Sequence, residues 1–162
     1  MDNIKVKNII IGKQFEDSEN LHKFFEIVNR KKIIVNVVKA GDRINIERNL
    51  YFDILWPGSS NTVFENLINN NSIVCKMYYK EFSMLFTGDI EGEAEKKIIK
   101  IHSESILKST CLKVAHHGSK SSSTIELLKK IRPKIALIGV DKDNKFGHPS
   151  NEVIKRLENL RC

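Results

Sequence analysis

Three short polar clusters in this chain each follow an apolar, strand-like run, and each carries side chains able to hold a metal ion or move a proton. Thr87-Gly88-Asp89 follows FSMLF, His116-His117-Gly118-Ser119 follows CLKVA, and Gly147-His148-Pro149 comes shortly after IALIGV. A strand buried in a sheet delivers the residue after it to one rim, and neighbouring strands deliver theirs to the same rim. A carboxylate and two or three imidazoles gathered there form an N/O ligand set suited to zinc, manganese or iron. Each cluster also has a plainer reading. Asp89 suits the N-cap of a helix starting near Glu91, and one of its oxygens could still face a metal. Gly88 lets the chain pass close to the site without a Cβ. A His pair before glycine can be a polar turn, and adjacent positions point different ways, so His116 and His117 do not serve one metal equally. The hydroxyls of Ser119, Ser121, Ser122 and Ser123 give the segment the character of a site loop. A Ser/His nucleophile is weakly supported, since no strained GxSxG elbow is present. His148 is either a site residue or part of the turn that opens a helix. His22 and His102 lie among Lys, Glu and Ser in helical stretches and read as surface residues. No phosphate loop, dinucleotide fingerprint or HExxH occurs.

The elements that must position these clusters are legible from periodicity. Residues 6–11 (VKNIII) read as a strand, and residues 18–30 as a helix with Asp17 or Ser18 as N-cap. Strands follow at 33–38, 43–46 and 51–56, the last stopped by Pro57-Gly58. Residues 58–71 form one long Asn- and Ser-rich connection, a length that points to function or mobility. A hairpin of 72–79 and 82–86 precedes a helix over 92–101. A strand at 112–115, a helix near 124–131, a buried strand at 135–140 and a helix capped by Ser150 complete the chain. Strands dominate the first part, whereas helix and strand alternate over the last seventy residues or so, as in a sheet with helices on one side. The fold class is α/β or α+β, in one unit.

Bulk properties set limits. The 162 residues suit one domain or a large piece of one. With 41% hydrophobic and 29% charged residues the chain should fold. The net charge of +7 comes from 27 Lys and Arg against 20 Asp and Glu, spread in KK and KxxK steps. That suits either a solvated Lys-rich surface or attraction to a polyanion such as nucleic acid. Cys75, Cys111 and Cys162 are odd in number and lack CxxC spacing, so neither a disulfide framework nor a Cys-based zinc knuckle is expected. Nothing resembles a signal peptide or a membrane span, and the chain as given reads as soluble.

The combination of NNSIV (70–74), FSMLFTGDIE, LKVAHHGSKSSS and IRPKIALIGVDKDNKFGHPS resembles the metallo-β-lactamase domain of ComEC-type DNA-internalisation competence proteins, and equally the stand-alone hydrolases related to it. The preceding AGDRINIERNLYFDILWP shares the likeness, which is strongest over residues 70–155. The resemblance implies an αββα sandwich with a metal site at one edge of its two sheets. The family's first ligand motif, HxHxDH, is absent, and residues 1–162 are therefore expected to form the C-terminal half of such a sandwich, a mixed sheet with helices on one side. Carried over by position, Asp89 matches the Asp that bridges two metals, and His148 the last metal-binding His. His116 or His117 could take that ligand role instead or transfer a proton. Asn71 and Ser119 would line the site and contact substrate.

The implied activity is that of a nuclease or phosphodiesterase acting on DNA in competence-related uptake. Two divalent ions, zinc or manganese, would lower the pKa of a bridging water in an intact relative. With only Asp89 and one or two histidines, this chain is expected to bind metal weakly or not at all and to be inactive alone. A half-sandwich would leave an apolar sheet face exposed, making the chain unstable or a homodimer through that face. The implied location is cytoplasmic or, within a competence membrane protein, the extracytoplasmic face of a bacterial membrane. The competing reading is a basic nucleic-acid-binding or interaction module that lost catalysis. A hydrolase of another small ester or lactone is a further alternative.

Overall fold

The computed structural model describes residues 4–13 and 17–162. Eight strands fall into two sheets. β1 (Asn8–Ile11) and β2 (Ile34–Val37) form a small parallel pair, joined by α1 (Glu19–Arg30). The six-stranded sheet follows chain order: β3 (Arg43–Glu47), β4 (Leu50–Trp56), β5 (Val74–Tyr79), β6 (Phe82–Phe86), β7 (Cys111–Lys113) and β8 (Ile135–Leu137). Its first four strands are antiparallel meanders, whereas β6, β7 and β8 run parallel. The switch has a simple cause. Short turns such as Lys80-Glu81 permit only antiparallel return, while the helices after β6 and β7 provide the crossovers that parallel pairing needs. The mixed sheet of an α+β fold is thus built as its periodicity predicts.

Helices cover one face of that sheet. α3 (Gly92–Ile101), α4 (Glu104–Leu107), α5 (Ile125–Ile131) and α6 (Asn151–Asn159) contribute Ala94, Ile98, Leu107, Leu127, Leu128, Ile131, Val153 and Leu157 to the core. The sheet contributes Leu55, Trp56, Val74, Leu85 and Leu112. Each large side chain removed from water here is worth about 1.5–3 kcal/mol. The Trp56 indole N–H, which burial would otherwise orphan, donates to the Asn70 carbonyl at 2.7 Å.

The opposite face is apolar and incompletely covered. Register aligns Phe52, Met77 and Met84 in one row and Ile54, Cys75 and Phe86 in the next, and these continue through β7 to Ile135 and Leu137. Ile135 and Leu137 are 52% and 47% exposed. The reading of 135–140 as a buried strand is therefore corrected: β8 has three residues, lies at the sheet edge, and buries only its Ala136 side against the core. Two short helices also escaped the sequence reading. α2 (Leu67–Asn70) closes the 58–71 connection, and α4 is one turn long; neither is long enough to show a period. The cysteines are free thiols, and burial pushes that of Cys75 up to about 11. Ser18, one of the two N-cap candidates, accepts from the Leu21 N–H and so caps α1.

One buried charge sits among these apolar groups. Lys76 lies on the helix-covered face with 3% exposure, and its ammonium donates to the carbonyls of Ile106 (2.9 Å) and Lys108 (2.6 Å) at the C-terminal end of α4. Burial lowers its pKa and the nearby Asp53 charge partly restores it. Helix-terminal carbonyls lack intrahelical donors, so the ammonium anchors α4 to the sheet. Replacement of Lys76 by Met should lower stability by about 1–3 kcal/mol through the unpaired carbonyls. The check is a lower urea midpoint with an unchanged denaturant slope.

Candidate active site

Because β6, β7 and β8 are parallel, the chain leaves all three at the same rim, the edge where open sheets of this kind place ligands. The three turns are stitched to one another by backbone. Thr87 Oγ1 donates to the Lys113 carbonyl at 2.6 Å, and the His116 N–H to the Gly88 carbonyl at 3.0 Å. The Ser150 N–H donates to the Gly118 carbonyl at 2.9 Å. Gly118 is essential to this closeness. It adopts φ +81°, and a Cβ there would lie 2.7 Å from the Pro149 side chain.

The turn after β7 is strained. His116 and His117 both take left-handed φ, 46° and 54°, an arrangement that costs about 1–3 kcal/mol per non-glycine residue and that tends to persist at functional sites. The strain sends the two rings in different directions. His117 is half-exposed, with Nε2 3.9 Å from Asp89 Oδ1 and Nδ1 2.6 Å from the Gly139 carbonyl. His116 points inward, with Nδ1 3.2 Å from Glu91 Oε1. That contact is not aligned as a hydrogen bond, which leaves Nδ1 the one buried side-chain polar atom without a hydrogen-bond partner among the described residues. The His116 ring also meets that of His148 edge-on, with centroids 5.8 Å apart. The structure therefore brings Asp89, His116, His117 and His148 to one rim.

Two residues not foreseen as site members complete the cluster. Glu91 faces His116 and accepts from Asn66 Nδ2 at 2.6 Å. Asn70, 1% exposed, accepts the Glu91 N–H at 2.9 Å through Oδ1. The signal was present in the sequence as a second carboxylate two residues after Asp89. It was read as helix start, and Glu91 does occupy the N-cap position of α3, without a side-chain cap. Asp89 as N-cap is thereby corrected. His102 is corrected as well: it is partly buried, with Nε2 2.9 Å from the Leu55 carbonyl. His22 does lie on the surface, 2.7 Å from Asp17.

Asn71 and Ser119 are brought close in sequence to this rim but are spent on framework. Asn71 is 5% exposed, accepts from the Val63 N–H, and donates to the carbonyls of Val63 and Leu67. Ser119 is 7% exposed, with Oγ 3.0 Å from Ser121 Oγ. Ser122, fully buried, donates to the carbonyls of Ala115 and Ser119. The buried hydroxyls of Ser119 and Ser122 thus close their own loop, while Ser121 lies exposed. Beneath it Glu95, fully buried, accepts from the N–H groups of Ser123 (2.5 Å) and Thr124 (2.8 Å) and from the Thr124 hydroxyl.

No family model matches the chain. It is 32% identical over 154 residues to ComE operon protein 3 of Bacillus subtilis, a match spanning 95% of this chain and 19% of that protein. Over this shared region, the chain belongs to the ComEC-type competence family. It is also 33% identical over 112 residues to Recombination protein 2 of Haemophilus influenzae, covering 69% of this chain and 13% of the relative. Competence protein ComA of Neisseria gonorrhoeae is 26% identical over 106 residues, covering 65% and 15% respectively. The chain spans less than a fifth of the length of these relatives. No helix among the described residues of this ComEC-type chain is long and apolar enough to cross a membrane.

Whether these residues suit a resident metal can be judged from their donors. Asp89 with His117 makes one two-donor pair, and His116 carries an orphaned nitrogen, but no group of three or more His, Cys, Asp or Glu among the described residues is arranged to hold an ion. Zinc sites take about four ligands.

Two outcomes test the frame. Gly118→Ala should cost about 1–3 kcal/mol, since the left-handed backbone disfavours a Cβ and Pro149 blocks it; thermal or urea unfolding reads this. Burial holds the Glu95 carboxyl above its ordinary range against the opposing pull of its Thr124 and Ser123 donors and the Arg156 charge. A raised folded pKa means a stabilising contribution present below the unfolded value, near 4.5, and lost as pH rises through the folded value. Glu95→Gln, which forfeits one acceptor, should be less stable by about 1–3 kcal/mol at acid pH. The gap should narrow as pH rises, in urea titrations repeated across pH.

Proposed function

We propose that this chain supplies part of a metal-dependent phosphodiesterase site, of metallo-β-lactamase type, that acts on DNA during competence-related uptake. The observation that carries this reading is the convergence of the Asp89, His116–His117 and His148 turns at the carboxyl rim of three parallel strands. In this reading Asp89 and His148 are metal ligands, one histidine of the pair adds to them, and further ligands come from outside the residues grouped here. Bound zinc or manganese would supply the activated water. The chain's own residues orient and exchange protons. Glu91 Oε1 lies 3.2 Å from His116 Nδ1, and a reoriented carboxylate would accept a proton from it and leave Nε2 free as a base or ligand. Exposed Lys side chains would position the phosphate backbone without reading its sequence. Alone, the chain is expected to bind metal weakly and to be inactive.

The lack of a three-donor group among the described residues favours a second reading, a basic nucleic-acid-binding module without catalysis. The two separate in one assay on the gene product that carries this chain. With Mn²⁺ or Zn²⁺, the phosphodiesterase reading expects cleavage of a labelled oligonucleotide, lost at least about 100-fold in Asp89→Asn, as for removal of a group that stabilises the transition state. Tight DNA binding with no metal-dependent cleavage selects the module. The apolar sheet face adds a proposal of its own: two copies pair through it. Leu137→Lys should then shift sedimentation from dimer to monomer, and a parent already monomeric at high concentration rejects the pairing.

A further inference from the structure

The two most exposed large hydrophobic side chains among the described residues are Phe64, at 86%, and Phe146, at 81%. Neither belongs to the core or to the uncovered sheet face, and both lie on loops that abut the candidate site. A series of contacts runs from the loop that carries Phe64 to Phe146. Phe64 is two residues from Asn66, whose amide donates to Glu91; Glu91 faces His116; His116 meets His148 edge-on; and the His148 ring stacks on Phe146, with centroids 5.9 Å apart and planes 20° from parallel. The aromatic residues thus sit on the loops at the two ends of the histidine cluster.

The Phe146 turn is preorganised. Asn144 Oδ1 accepts the N–H groups of Phe146 (3.2 Å) and His148 (3.0 Å), and its amide donates to the carbonyls of Asp141 (2.9 Å) and His148 (2.8 Å). The ring is held firmly in a turn that carries Lys142 and Lys145 together with Asp141 and Asp143. Its exposed π-face matches the faces of an unpaired base. A duplex hides those faces by stacking its own bases.

We propose that Phe146 and Phe64 are stacking platforms that hold unpaired nucleobases at the two ends of this site, and so select single-stranded over duplex nucleic acid. The proposal rests on the nucleic-acid part of the reading above, not on its catalytic part. Stacking of one base on an aromatic ring is worth a factor of about 5 to 100 in affinity.

The test is fluorescence anisotropy with labelled oligothymidylate and with a duplex of equal length, in EDTA so that no cleavage consumes the probe. The parent chain should prefer the single strand. Phe146→Ala and Phe64→Ala should each weaken single-strand binding about 5- to 100-fold and leave duplex binding unchanged, whereas Phe146→Trp should retain it. Alanine variants that bind the single strand like the parent, or lose both forms equally, overturn the proposal. So does a Phe146→Ala variant that loses self-association while binding strands normally, which would make Phe146 a contact between copies. A parent that binds neither form overturns the nucleic-acid reading together with this one. Single-strand selectivity lost in the alanine variants, with no metal-dependent cleavage by the gene product that carries this chain, supports the platforms and removes only the catalytic reading.

Discussion

The parallel pairing of β6, β7 and β8 is the constraint from which the rest of the molecule follows. An antiparallel strand at β7 would carry the double-histidine turn to the far end of the sheet, some three residues' length away, and no side-chain adjustment could return it. Parallel order in turn obliges the chain to cross over the sheet between strands. The crossovers are the helices whose apolar sides make the core, so the same topology both stabilises the fold and sets the site. The backbone bonds from His116 to Gly88 and from Val114 to Leu137 are its local expression.

Around the rim, polar side chains act chiefly as framework. Asn70, Asn71, Ser119, Ser122 and Glu95 are all buried, and each satisfies backbone groups of an irregular loop that has no ladder to bond with. This explains how a chain can hold consecutive left-handed residues at His116 and His117 and another at Ser123. The strain is small beside the set of bonds that fixes the loop at both ends. The side chains proposed for the site, His117, Asp89 and His148, remain the less buried members.

Much of this was legible in the sequence, for identifiable reasons. Strands such as YFDILW and the hairpin around Lys80-Glu81 alternate or run apolar over enough residues to show their period, and caps such as Ser18 and Ser150 act within three residues of themselves. The meeting of the Asp and His turns followed from strand order. What could not be read was what depends on contacts distant in sequence. Asn71 and Ser119 look like substrate ligands in a string of polar residues, and only the fold shows Val63, Leu67 and Ser121 using them. Glu91 gains its meaning from a histidine 25 positions later, and β8 looks buried because its composition does not record that, among the described residues, no strand lies beyond it.

Arg156 of α6 donates to the carbonyls of Ser122 and Ser123, directly above the residues that Glu95 holds from α3. The serine loop is therefore gripped between a guanidinium from α6 and a buried carboxyl from α3. Whatever displaces α6 would reach the double-histidine turn through the Arg156 guanidinium and through the Ser150 bond to Gly118. The helix is in this sense a lever on the rim as well as a cover for the core.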